Sequence, residues 1–285
     1  MHASMKAGFF DSTDGLKLYA DWYAPEAGTP RAGVVLMHGY ADHSGRYAHV
    51  GKRLAASGYA VMGFDYRGHG QAGGRRGHCD AFDEYLGDFE RACARVRDAV
   101  GGRPLVVVAH SHGALIALRA LCDPTRVPTG VAALAVASPY LGLALKVSPL
   151  KVAAGRLASR LAPRLTLKNE IVSEDLSHDP EMVAAHRADR DCHAVATARW
   201  FTEATRAQEW VGAHAAGLAL PSLWLVAGED RIADPAVTRR VFAAAGGDKR
   251  LELYAGFFHE VFHERDRDRV LGDLERWLSP RFPEA

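Results

Sequence analysis

Three residue types placed in a fixed chain order point this sequence toward nucleophilic catalysis by an activated hydroxyl. The segment Ala109-His110-Ser111-His112-Gly113 follows the apolar run 105–109 and leads into the helix-favouring run 114–121. A serine on so tight a strand-to-helix turn exposes its hydroxyl at the top of a sheet, beside the positive end of the next helix, and small neighbours leave room for the turn. The usual pattern is G-x-S-x-G, and Ala109 departs from it by one methyl group. Without the flanking strand and helix, Ser111 would read as an ordinary helix N-terminus. A serine hydroxyl at neutral pH needs a base within hydrogen-bond reach, itself oriented by a carboxylate. After the apolar run 223–227 comes Gly228-Glu229-Asp230-Arg231, which puts Asp230 just past a strand end, with Glu229 and Asp234 as competitors. The run 251–254 passes into Gly256-Phe257-Phe258-His259, so His259 falls on a loop at the same end of the sheet. Attack on a carbonyl also needs amide donors for the oxyanion. His38-Gly39-Tyr40 follows the first buried run, and the expected donors are the N–H groups of Tyr40 and His112. His38 itself is expected to brace the loop.

A second motif competes for His259. His259-Glu260-Val261-Phe262-His263 spells H-E-x-x-H, in which two histidines one helical turn apart hold zinc and the glutamate acts as base. That chemistry needs a long helix and a third ligand, for which Glu264 and Glu275 are the candidates. The motif instead follows a glycine-bearing strand end with few residues left in the chain, so the serine reading is preferred and no metal or organic cofactor is expected.

These side chains meet only if strands and helices alternate. Apolar runs suited to fully buried strands recur at 34–37, 60–64, 105–109, 131–136 and 223–227. Between and after them, Leu86, Phe89, Cys93, Val96 and Val100 repeat at helical spacing, as do Val270, Leu271, Leu274, Trp277 and Leu278. Alternation of this kind predicts an α/β fold with a mainly parallel central sheet flanked by helices. Residues 15–23, behind the Asp14-Gly15 turn, alternate more and are expected to add antiparallel strand at one edge. From Tyr140 to about Trp200 no strand-like run is evident and leucines recur at helical spacing. We therefore expect a helical cap or lid at 140–200 inserted into a core formed by 1–139 and 201–285. Ligands bind beyond the carboxyl ends of the strands in open α/β sheets, so this insertion would overhang the site.

Several of these loops carry a more specific pattern. His38-Gly39-Tyr40-Ala41-Asp42-His43-Ser44-Gly45-Arg46-Tyr47, Phe64-Asp65-Tyr66-Arg67-Gly68-His69-Gly70 and Phe82-Asp83-Glu84-Tyr85-Leu86 resemble successive signatures of monoacylglycerol lipases and related lysophospholipases of the α/β-hydrolase superfamily. The resemblance runs from about Phe10 to the last helix. It implies an α/β-hydrolase fold, with Ser111 as nucleophile, Asp230 as acid, His259 as base, and Tyr40 and His112 as oxyanion-hole residues. It also implies a small lipid-like ester as substrate. The sequence departs from that pattern where His112 replaces the usual methionine, where Ala72 replaces a common serine, and where Asp189-Arg190-Asp191-Cys192-His193 stands in place of Asp-Pro-Leu. These changes touch substrate choice more than mechanism. An acyltransferase or carbon–carbon bond hydrolase on the same fold, or a receptor with vestigial activity, remain the alternatives.

Bulk properties bound the partners. With 35 basic and 34 acidic residues the net charge is +1, which gives no reason to expect nucleic acid. Cys79, Cys93, Cys122 and Cys192 form no C-x-x-C pair and are expected to be free and structural. No signal-like start or transmembrane-length apolar run is evident, which suggests a cytoplasmic protein. Between Tyr140 and Asn169 lie six basic residues, Lys146, Lys151, Arg156, Arg160, Arg164 and Lys168, and no acidic one. With Leu150, Leu157, Leu161 and Leu165 beside them, this stretch reads either as an amphipathic helix contacting a lipid surface or as a basic face whose leucines pack on the core. Activity is expected to fall as His259 protonates, near or below about pH 6.5.

Overall fold

Five short apolar runs, buried at every position but Ala132, form strands covered on both faces and build the centre of this protein. The computed structural model describes residues 5–144, 149–169 and 171–284. Its main sheet contains β1 (Gly8–Asp11), β2 (Lys17–Tyr23), β3 (Gly33–Met37), β4 (Ala60–Asp65), β5 (Leu105–His110) and β6 (Val131–Ala137), together with β9 (Ser222–Ala227) and β10 (Lys249–Tyr254). The spatial order is β1-β2-β4-β3-β5-β6-β9-β10. Pairings with β2 are antiparallel and all others parallel, so the expected antiparallel edge is present. Strand β1, with four residues and an exposed Phe9, extends that edge by one strand beyond the expectation.

The strands send alternate residues into two cores. Val35, Met37, Met62, Phe64, Val107 and Ala109 meet α2 (Asp83–Ala99) and α3 (Ser111–Leu121) on one face. Val34, Leu36, Val61, Val106 and Val108 meet α1 (Ala48–Ala56) and α8 (Arg267–Leu278) on the other. This is the period-two alternation of a sheet buried on both sides. It fixes strand register and thereby the height at which each strand end, with its site residue, emerges.

Between β6 and β9 the chain leaves the sheet and forms α4 (Pro149–Leu161), β7 (Thr166–Lys168), α5 (Pro180–Ala188), β8 (Val195–Thr197) and the start of α6 (Ala198–His214). The expectation that this interval lacks strands needs correction, because β7 and β8 pair antiparallel, Thr166 opposite Thr197. Each has three residues and β7 is exposed throughout, so neither carries the buried apolar run that marks a strand in sequence. Helix α7 (Pro235–Ala244) begins on Asp234, whose side chain accepts from the Ala236 amide. Below the site, Asp88 is wholly buried on α2 and receives Arg67 Nε at 2.9 Å and Arg67 Nη2 at 2.7 Å, with Ser12 donating beside them. This pair anchors the loop carrying Tyr66 and His69 beneath the strand ends.

Candidate active site

Ser111 opens α3 directly after β5, with φ at +50°, a left-handed backbone that a serine adopts only when its surroundings hold it there. Gly113 is required by the same turn: a Cβ at this position would lie 2.5 Å from the His38 carbonyl oxygen. The loop after β3 is thus pressed against the serine turn, and a Cβ on Gly39 would sit 3.4 Å from that of Ser111. Ser111 Oγ lies 2.8 Å from His259 Nε2, and His259 Nδ1 lies 2.7 Å from Asp230 Oδ2. The other oxygen, Asp230 Oδ1, accepts the amides of Ile232 at 2.9 Å and Ala233 at 2.8 Å, which locks the carboxylate plane. All three side chains are buried. Of the competing acids, Glu229 is exposed and Asp234 caps α7.

Burial disfavours a charged imidazole, but the Asp230 carboxylate, followed by Glu260 and Asp42, more than offsets this and raises the His259 pKa above its ordinary 6.5. The neighbouring His110, 4.8 Å from His259 between ring centroids, is held neutral by burial, its pKa lowered to about 3. A histidine acting as base must be neutral, so with His259 in that role activity is expected to be lost as pH falls through its pKa. Because that pKa is raised, the acid limb of kcat/KM is expected to have its midpoint above pH 6.5, higher than sequence alone suggested. A midpoint at or below about pH 6 would contradict the Asp230–His259 coupling.

Tyr40 lies on the loop after β3 and His112 in the first turn of α3, both beside Ser111. Among the described residues neither backbone amide donates to another protein group, which leaves both free for an oxyanion. His38 is buried, donates from Nδ1 to the Gly39 carbonyl at 2.7 Å and stacks on Tyr66, as expected of a residue that braces the loop.

The H-E-x-x-H reading fails on geometry. Residues 261–263 form one short 3-10 turn, His259 faces Ser111, and His263 Nε2 meets the Arg46 carbonyl at 3.0 Å. Glu260 is held by Arg46 through two contacts of 2.8 and 2.7 Å, and Arg46 also reaches Asp42 at 3.0 Å. Burial alone would raise both carboxyls, but Arg46 between them holds both below the usual carboxylate range. Among the described residues, His43, Asp189 and Cys192 also lie close enough to suggest a metal. There His43 Nδ1 accepts the Gly45 amide at 3.2 Å, so Nε2 keeps its proton and donates to Asp189 at 2.9 Å, occupying the nitrogen a metal would need.

A cavity of about 780 Å³ opens onto Ser111 and His259, lined largely by apolar side chains including Leu143, Ile171, Leu176, Trp200 and Phe201. Asp42, Glu260, Asp175 and Arg231 line its polar parts, and Arg231 pairs with Asp175 at 3.0 Å.

The sequence of residues 28–266 matches the family model described as serine aminopeptidase, S33, a Hydrolase_4 family. The chain belongs to this S33 family. The S33 chain is 33% identical to a monoacylglycerol lipase of Mycolicibacterium smegmatis over 271 residues, 94% of this chain and 95% of that one. It is 27% identical to the phospholipase YtpA of Bacillus subtilis over 247 residues, 86% of this chain and 94% of that one. The crystal structure of a monoacylglycerol lipase from Paleococcus ferrophilus superposes with a TM-score of 0.82 at 27% identity, covering 92% of this chain and 98% of that one. This S33 member is a serine hydrolase with the α/β-hydrolase fold.

Residues that work through long-range contacts were missed in the sequence. Arg46 and Glu260 are 214 positions apart, and Trp200 reaches His112 across 88 positions, so no local spacing announces either pair. The one signal available was the unusual histidine at 112.

Proposed function

We propose that this protein hydrolyses single-chain fatty acyl esters, monoacylglycerols or lysophospholipids, through an acyl-enzyme on Ser111. Ser111 attacks the ester carbonyl as His259 takes its proton, and the oxyanion is held by the Tyr40 and His112 amides. His259 then protonates the departing alcohol, and a water activated by the same imidazole releases the fatty acid. Asp230 holds the imidazole with its proton on Nδ1 and stabilises the cation formed midway. Residues 140–200 serve as the cap, and Ile171, Leu176, Trp200 and Phe201 from this interval and the adjoining helix line the route to Ser111.

The apolar cavity ending at the Ser111 hydroxyl carries this reading. An aminopeptidase must hold a free ammonium group with an unpaired carboxylate, whereas Asp42 and Glu260 are both engaged by Arg46, and Asp175 by Arg231. Similarity to a monoacylglycerol lipase and a phospholipase adds support. The test is kcat/KM across esters of increasing acyl length. Each methylene buried contributes about 0.8 kcal/mol, so the value should rise roughly fourfold per methylene until the cavity is filled. A preference for acetyl esters, or efficient acyl transfer to an alcohol in place of water, would replace this reading.

A lipid surface is the proposed source of substrate. Leu157, Leu161 and Leu165 are exposed, which supports this surface over the alternative in which they pack on the core; the side chain of Leu150 lies outside the described residues. Arg156, Arg160, Arg164 and Lys168 are exposed beside them, an arrangement suited to anionic headgroups over an apolar layer. Lys146 lies outside the described residues. Reversing charge at Arg156 and Arg160 is expected to weaken binding to phosphatidylglycerol vesicles by roughly thirtyfold per residue at low salt, two charge units at about 1 kcal/mol each. Binding indifferent to both salt and charge reversal would exclude this surface. No helix among the described residues is long and apolar enough to cross a membrane. The four cysteines are free, which supports a reducing compartment such as the cytoplasm.

A further inference from the structure

The amide proposed to hold the oxyanion belongs to a peptide whose other end is unusually well occupied. Gly39 C=O and Tyr40 N–H are the two ends of one planar group, so whatever fixes the carbonyl aims the N–H. That carbonyl accepts twice, from His38 Nδ1 at 2.7 Å and from the Tyr66 hydroxyl at 2.6 Å. Behind Tyr66 the contacts continue. Trp200 Nε1 can only donate, and it does so to His112 Nε2 at 3.3 Å. The His112 proton is therefore on Nδ1, which faces the Tyr66 oxygen at 3.3 Å, and Tyr66 spends its own hydrogen on Gly39. Trp200 also stacks on the Tyr40 ring at 3.7 Å between centroids. His112, Tyr66 and Trp200 are all buried.

We propose that Trp200, His112 and Tyr66 form a directed hydrogen-bond chain of positioning residues that aims the Tyr40 amide at the oxyanion and ties the oxyanion hole to the first turn of α6. This rests on Tyr40 and His112 being the oxyanion donors. Each link donates toward Gly39, and donors in series polarise one another, so the Tyr40 N–H becomes both better directed and a stronger donor. Burial keeps the chain in one protonation state, pushing the His112 pKa down to about 3 and that of the Tyr66 hydroxyl up. The histidine side chain at 112 thus has an assignment of its own, separate from its backbone amide.

Tyr66→Phe removes one oxygen and little volume, and is expected to lower kcat about tenfold with KM nearly unchanged. Affinity for a trifluoromethyl ketone, which forms a tetrahedral oxyanion on Ser111, should fall by the same factor, while affinity for a non-hydrolysable ether analogue stays the same. His112→Leu should reproduce the loss. His112→Gln, whose amide can accept from Trp200 and donate to Tyr66, should recover most of it, which a purely space-filling role would not predict. Unchanged kcat and ketone affinity in Tyr66→Phe, equal loss of both inhibitors, or His112→Gln no better than His112→Leu would each overturn the proposal. A structure of the unsubstituted protein with a phosphonate on Ser111 separates the two levels of inference. Its anionic oxygen within hydrogen-bond reach of the Tyr40 and His112 amides keeps the hole and leaves the variants to judge the chain; an oxygen elsewhere removes both.

Discussion

Ser111→Ala is expected to lower kcat on a long-chain ester by about 10^4-fold or more, to abolish labelling by a fluorophosphonate, and to leave the urea unfolding transition in place. The hydroxyl is the one atom removed, and its side-chain partner is His259 Nε2. Alanine meets the same left-handed backbone constraint at φ +50° as serine does, so the turn between β5 and α3 has no new strain to relieve. The proposed oxyanion donors and the apolar cavity survive the change, and substrate binding should therefore persist while acyl transfer stops. Near-normal turnover by this variant would remove Ser111 from the mechanism.

Asp230→Asn should be almost as damaging, about 10^4-fold in kcat, for a reason specific to the surroundings of this carboxylate. Oδ1 accepts two backbone amides, from Ile232 and Ala233, so an asparagine must place its carbonyl oxygen there. Its NH2 then faces His259 Nδ1 and donates, which drives the imidazole proton to Nε2, opposite the Ser111 hydroxyl. A nitrogen already protonated cannot act as base. The same substitution removes the charge that raises the His259 pKa, so the acid limb of the residual activity should move to lower pH. Retained turnover with an unmoved acid limb would argue that another carboxylate orients the histidine.

Strands β3 to β6 and β9 were legible because parallel strands covered on both faces need uninterrupted apolar residues, and α2 and α8 because one face of each is buried at helical period. The chain positions of Ser111 and Asp230 could be read because each closely follows such a strand, and that of His259 because it follows the shorter apolar run that ends β10. Helices α1 and α7 went unremarked, although Val50 and Leu54 on the first repeat at helical spacing. The strands β7 and β8 lacked any pattern, being short, and β7 is exposed. Sequence could show that leucines alternate with arginines in α4, but not whether anything covers them; Leu161 remains 77% exposed. It also could not show that Arg46 engages Asp42 and Glu260 together, since the chain must fold before these charges meet.

Strands β6 and β9 are direct neighbours in the sheet, with Leu134 opposite Ser222 and Ala137 opposite Leu225. The chain leaves at the carboxyl end of β6 and, because the two strands run parallel, crosses back through α6 before entering β9 at Ser222, so the segment between β6 and α6 hangs from one seam at the carboxyl end of the sheet. Such a segment can lengthen, shorten or be exchanged over evolutionary time without shifting the register of any strand pair. Diversification of what is admitted is thereby uncoupled from preservation of how bonds are broken, and grafting a foreign segment at this seam is the natural route to re-engineering selectivity.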